Sequence, residues 1–120
     1  MNAANLALRF LLELSALAGF ATWAWQSASG WWRFAAVIVV VITLMAVWGI
    51  FAVPNDPSRS GNAPIPVPGT VRLVLELIIL FGGAYAWYLG GFAMTAAIFA
   101  SLVIFHYLLS LDRIMWLLQQ

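Results

Sequence analysis

The sequence predicts an all-α membrane protein, with four transmembrane helices built as two tandem two-helix repeats. Three observations carry this prediction. Of 120 residues, 65% are hydrophobic and only 8% charged, with mean hydropathy +1.01. A water-soluble domain of this length has too high a surface-to-volume ratio to hide so much apolar surface. Four apolar stretches of bilayer-crossing length are separated by turn residues. An arginine–glutamate pair also recurs in the two halves of the chain.

A bilayer core of ~30 Å needs ~20 helical residues at ~1.5 Å each. The first helix is expected over about 5–25, closed by the polar turn Gln26-Ser-Ala-Ser-Gly30. The second is expected over about 31–53 and contains the run Val37-Ile-Val-Val-Val-Ile42. Its β-branched residues favour helix in lipid, where the backbone must satisfy its own hydrogen bonds. Pro54 closes this helix and opens a loop, 54–69, that holds all five prolines. The loop is expected to be a solvated, partly polyproline-like connection on the cytoplasmic side. The third helix is expected over about 70–89 with Thr70 as its N-cap. Gly90-Gly91 is a tight turn, and the fourth helix follows over about 92–111. Residues 112–120 either extend that helix or lie along the interface, with Trp116 at headgroup level.

The N-terminal segment lacks a basic n-region, and Arg9 and Glu13 interrupt its apolar run. It is therefore expected to be retained rather than cleaved as a signal peptide. Four crossings put both termini and the proline loop on one side. Arg9, Arg59, Arg72 and Arg113 fall there, against Arg33 alone on the other. The positive-inside rule makes that side the cytoplasm.

The repeat appears when Leu8–Trp25 is set against Val71–Tyr88. LRFLLELSALAGFATWAW lies over VRLVLELIILFGGAYAWY, so Arg9 meets Arg72 and Glu13 meets Glu76. Matched leucines mean little in such a chain. Matched charges mean more when there are five basic and four acidic residues in all. The two units would be related by an axis along the membrane normal.

Arg9/Glu13 and Arg72/Glu76 are both i, i+4 pairs, each on one helix face. Ionisable groups within a span face the bundle interior and seek partners. The expectation is one buried polar cluster in the cytoplasmic half of the bundle, made of Arg9, Glu13, Arg72, Glu76 and His106, with Trp48, Gly49 and Ser110 near its level. Pairing within each helix, between repeats, or in a four-member ring remain open alternatives. So do two roles: a packing network that fixes helix register, or a site for a proton, an ion or a small polar solute. His106 is read as a hydrogen-bonded packing residue or as part of that site.

Other features read as structural. The seven tryptophans form an interfacial belt around Trp23, Trp25, Trp31 and Trp32. Gly19, Gly82 and Gly83 permit close helix approach. Thr43 and Ser101 bond to their own helix backbones. No phosphate loop, nucleophile elbow or HExxH motif is present, so no enzyme activity, cofactor or catalytic residue is expected. One histidine and no cysteine argue against a metal site. A net charge of +1 with no basic patch argues against nucleic acid as a partner. The bilayer itself is the expected partner, with homo-oligomers needed for any pathway, since four helices enclose a narrow lumen.

The motifs Leu8-Arg-Phe-Leu-Leu-Glu-Leu14, Trp48-Gly-Ile-Phe-Ala-Val-Pro54 and Arg72-Leu-Val-Leu-Glu76 resemble those of the YrdB-like family, small bacterial membrane proteins of unassigned function. The likeness covers most of the chain. It implies a four-helix inner-membrane protein, with the Trp48–Pro54 stretch closing the second helix, and it supplies no activity. His106 and the proline-rich loop have no match in that pattern. The layout is also similar to that of the small multidrug-resistance transporters, which carry a membrane glutamate in the first of four short helices. Those proteins lack the arginine paired with it. The functional expectation is a small transporter or channel-like protein working through the Glu/Arg centre. The alternative is a structural or accessory membrane subunit.

Overall fold

A computed structural model describes residues 2–59 and 62–120. The described chain is helical apart from one short strand pair. Its elements are α1 (Ala3–Ser27), α2 (Trp32–Ile50), β1 (Phe51–Ala52), β2 (Ile65–Pro66), α3 (Gly69–Leu89), α4 (Ala93–Leu108) and α5 (Leu111–Leu118). The helices α1, α2 and α3 are long and apolar enough to cross a membrane. At 16 residues, α4 rises about 24 Å. It reaches the same standard only together with α5, from which a 70° bend separates it.

The bundle is organised around α1 and α3, which pack along each other, with α4 against α3 and α2 against α1. Its core is Leu12, Ala16, Leu80, Ala84, Phe99, Val103 and Tyr107. Small residues bring α1 and α3 together. A Cβ on Gly83 would lie 2.8 Å from Cα and Cβ of Ala16, and one on Gly19 would lie 2.8 Å from the Gly83 carbonyl. Trp87 then donates its indole N–H to the carbonyl of Ser15 at 3.0 Å. Helix α2 is different, for none of its residues is buried. Ile38, Val39 and Ile42 on it are more than half exposed. Such an apolar outer face is stable only against lipid or protein.

Three boundaries and the setting of the loop depart from the sequence reading. Helix α2 ends at Ile50 rather than Val53. Val53 precedes Pro54 and is steered from the helical region. Arg72 donates Nη1 to the carbonyls of Trp48 and Phe51, satisfying acceptors that a helix end leaves open. The loop 54–69 is less solvated than expected. Phe51–Ala52 pairs in parallel with Ile65–Pro66, Ala52 and Val53 are buried, and Asp56 is only 6% exposed. Thr70 is not the N-cap of α3; Pro68 occupies that position, with no side-chain cap. The fourth helix stops at Leu108 instead of 111. The chain then turns at Ser110 and sends α5 back across the end of the bundle. Leu117 and Arg113 of α5 are buried, while Leu111, Met115 and Leu118 face outward. There is no room for a side chain where α5 meets α3. A Cβ on Gly69 would fall 1.7 Å from the Leu117 carbonyl oxygen.

Candidate functional site

The starts of α1 and α3, the end of α4, the loop and α5 all meet at one end of the bundle. Most of the arginines meet there too. Glu76 of α3, fully buried, is the centre. Its Oε1 accepts from Arg9 Nη2 at 2.7 Å, Arg113 Nη2 at 2.8 Å and Arg72 Nε at 3.0 Å. Its Oε2 accepts from the Tyr107 hydroxyl at 3.0 Å and Arg9 Nη1 at 3.4 Å. One carboxylate thus holds three guanidiniums and a phenol, from α1, α3, α4 and α5. Trp48 at the end of α2 lies beside two of them, with Arg72 at 4.8 Å and Arg9 at 5.4 Å from its ring centroid. These are cation–π distances.

Glu13 is held differently. It accepts from Arg9 Nε at 3.1 Å, and its side chain remains 27% exposed. No four-member ring forms. Arg72 turns Nη1 to the carbonyls of Trp48 in α2 and Phe51 in β1, and Arg113 takes the remaining place on Glu76. The two carboxylates of the recurring motif therefore have different environments, one sealed and one at an edge. That edge opens into a cavity of about 430 Å³, walled by Arg9, Glu13, Trp48, Gly49, Arg59, Arg72 and Arg113 among others.

His106 lies beside this centre in a second, linked network. Its Nδ1 is 2.7 Å from Asn5 Oδ1. Asn5 Nδ2 donates to Ser110 Oγ at 2.7 Å, and Ser110 Oγ donates to the His106 carbonyl at 2.7 Å. Ser110 accepts from the amide, so Asn5 Oδ1 is left to accept from Nδ1–H of His106. A third group ties the loop to α5. Asp56 Oδ2 accepts from Arg113 Nη2 at 2.7 Å, and Ser58 Oγ accepts from Arg113 Nε at 2.7 Å. Asp56 Oδ1 in turn accepts from the backbone N–H of Ser58 at 2.9 Å, an Asx turn.

The structure therefore brings Arg9, Glu13, Arg72 and Glu76 into one network, and it sets His106 next to that network through Asn5. Sequence reasoning missed Arg113, Asp56, Asn5 and Tyr107. Ser110-Leu-Asp before Arg113 is a helix-start signal, and the leucine, isoleucine and tryptophan spacing after it has helical period. Those signals could have shown that Arg113 sits on a new, returning helix. Asp56 and Tyr107 carry no such local mark. Among the described residues no group of three His, Asp or Glu side chains converges as a metal cage would.

Apolar helices of crossing length around a buried arginine–glutamate centre define a helical protein of membrane-compatible build. The chain belongs to the YrdB-like family. The family model described as "Protein of unknown function (DUF2568)" matches residues 7–104. The chain is also 43% identical over 120 residues to "Uncharacterized protein YrdB" of Bacillus subtilis (strain 168), covering 100% of this chain and 98% of that protein. No solved structure matches.

Proposed function

We propose that this is a four-span inner-membrane protein of two tandem two-helix units, with both termini cytoplasmic. Its role in this reading is to move a small polar or ionic solute past the Glu13 edge of the arginine–glutamate centre, as a small transporter or channel-like protein. Two features support the span count: three helices of crossing length, and an α4 that with α5 makes a bent fourth. The duplicated design draws support from the matching intrahelical bonds, Arg9 Nε to Glu13 Oε1 at 3.1 Å and Arg72 Nε to Glu76 Oε1 at 3.0 Å. The arginine-rich end, opposite Arg33, supports that orientation.

The observation that carries the solute reading is the asymmetry of the two carboxylates. Glu76 is sealed, whereas Glu13 reaches a cavity walled by four arginines. Four guanidiniums against the carboxylates of Glu13, Glu76 and Asp56 leave one net positive charge, which favours an anion over a proton or cation. The face of α2 that carries no buried residue leaves room for a homo-oligomeric partner, which a continuous pathway requires.

The test is flux of chloride or phosphate into liposomes holding the purified protein. The expected result is flux above protein-free vesicles, lost in Glu13→Gln while the variant stays folded. Normal transport by Glu13→Gln overturns the reading. A second reading, a structural or accessory subunit, is favoured by the complete satisfaction of Glu76. It expects no flux from the wild type, and a loss of stability when Glu76 is changed.

A further inference from the structure

A second cavity adjoins the first. It has about 250 Å³ and lies between α1 and α2, with Leu14, Leu17, Leu44 and Met45 on its sides. Phe10, Glu13, Trp48 and Gly49 wall both cavities. Glu13 is the acidic residue among these walls, at the junction. Along α1 the apolar slot spans residues 10–17, about 10 Å of helix. The arginine cleft thus continues into an apolar slot that runs toward mid-bundle, beside a helix that packs loosely on the rest.

Two arginines that wall the cleft each keep one donor unused. Arg113 is pinned by Glu76, Asp56 and Ser58 through Nη2 and Nε. Arg59 is pinned by the carbonyls of Gly49 and Asn62 through Nη2. In both, Nη1 is buried without a hydrogen-bond partner among the described residues. Arg113 as a whole is only 4% exposed. Arg59 pairs with no carboxylate among the described residues, so its charge is not locally neutralised. A buried guanidinium N–H without an acceptor is costly. Both Nη1 groups belong to residues that wall one cleft, and an anionic oxygen group settling there would give each the acceptor it lacks.

We propose that the joined cavities hold one anionic phospholipid, its phosphate bound by Arg59 and Arg113 and part of an acyl chain in the slot between α1 and α2. A free phosphate would satisfy the two arginines but leave the slot empty. A lipid fills both, and the slot lies where an apolar tail is available from the bilayer. The inference rests on the Glu13 edge being a binding site, and it does not require transport.

The test is native mass spectrometry and equilibrium binding with the full chain, delipidated in detergent. The probes are dioleoylphosphatidylglycerol, dioleoylphosphatidylcholine and inorganic phosphate. One phosphatidylglycerol per chain is expected, bound about tenfold more tightly than phosphatidylcholine: both offer the same phosphodiester, and the difference comes from the choline cation, which the uncompensated Arg59 charge repels. Arg59→Gln should erase that preference, and Leu17→Trp should block the slot and weaken both lipids. Both positions lie outside the Glu76 centre, and unchanged thermal midpoints would show that the variants fold. Equal retention of the two lipids, an unchanged preference in Arg59→Gln, full binding by Leu17→Trp, or inorganic phosphate binding as tightly as the lipid would each overturn the inference. Flux without retained phospholipid would also overturn it and leave the solute reading standing. Retained phospholipid without flux would do the reverse.

Discussion

Arg113 and Glu76 are 37 positions apart in sequence, yet Nη2 of one lies 2.8 Å from Oε1 of the other. That bond ties the short helix α5 to the buried charge centre at the end of the bundle. It also makes Glu76 the one carboxylate on which three guanidiniums depend.

Glu76→Gln should therefore be severely destabilising. It leaves Arg9, Arg72 and Arg113 buried with their common counter-charge gone, at a cost of about 3–5 kcal/mol. Glu13→Gln removes a single, partly exposed ion pair and should cost about 1 kcal/mol or less. Unfolding of both variants in mild detergent, followed by tryptophan fluorescence, checks the contrast. Equal losses would contradict the central place given to Glu76.

The glycines should sort by what lies opposite them. Gly83→Ala drives a methyl against the backbone of Ala16, which cannot give way as a side-chain tip could, so a loss of about 1–3 kcal/mol is expected. Gly49 has nothing within 4 Å of the same added atom. Gly49→Ala should stay within about 0.5 kcal/mol of wild type. Thermal midpoints of the two variants, measured side by side, decide the matter.

Gly69→Ala should detach α5. The new methyl would occupy the place of the Leu117 carbonyl, and the helix would have to lift to make room. Hydrogen exchange should then rise through Leu111–Leu118 while the middle of α3 stays protected. Unchanged protection in α5 would refute the contact.

Asn5 should fix the tautomer of His106. Nitrogen NMR is expected to show the proton on Nδ1 in the wild type. Asn5→Ala should abolish that preference and cost about 1–3 kcal/mol, because His106 and Ser110 lose a buried partner together. A proton found on Nε2 of the wild-type ring would contradict the assigned network.

The two i, i+4 pairs and the glycines of α1 and α3 could be read from sequence because their spacing is local. A carboxylate four residues from a guanidinium in an apolar helix has one obvious partner, and the observed bonds use it. Helix ends were readable to within a few residues for the same reason. Arg113 was not legible as part of the centre. It follows the last apolar run, where a charge ordinarily marks the exit from the membrane. Its burial depends on the bend at Ser110, a tertiary event. Asp56 was hidden among prolines that suggested a solvated linker. What buries it is the pairing of Phe51–Ala52 with Ile65–Pro66, two residues each, too short to leave a strand pattern. The different surroundings of Glu13 and Glu76 were likewise beyond reach, because a recurring motif predicts sameness, and it is broken by Arg113, Tyr107 and the cross-helix bonds from Arg9.

The return of α5 has a consequence for biogenesis. Arg113 is made after α1 to α4, so a nascent chain holding all four still has Asp56 without its cation and Glu76 short of one of its three. The interior cannot close until α5 has been made and has turned across the end of the bundle. Closure of the charged interior therefore waits on α5, not on the helices made before it.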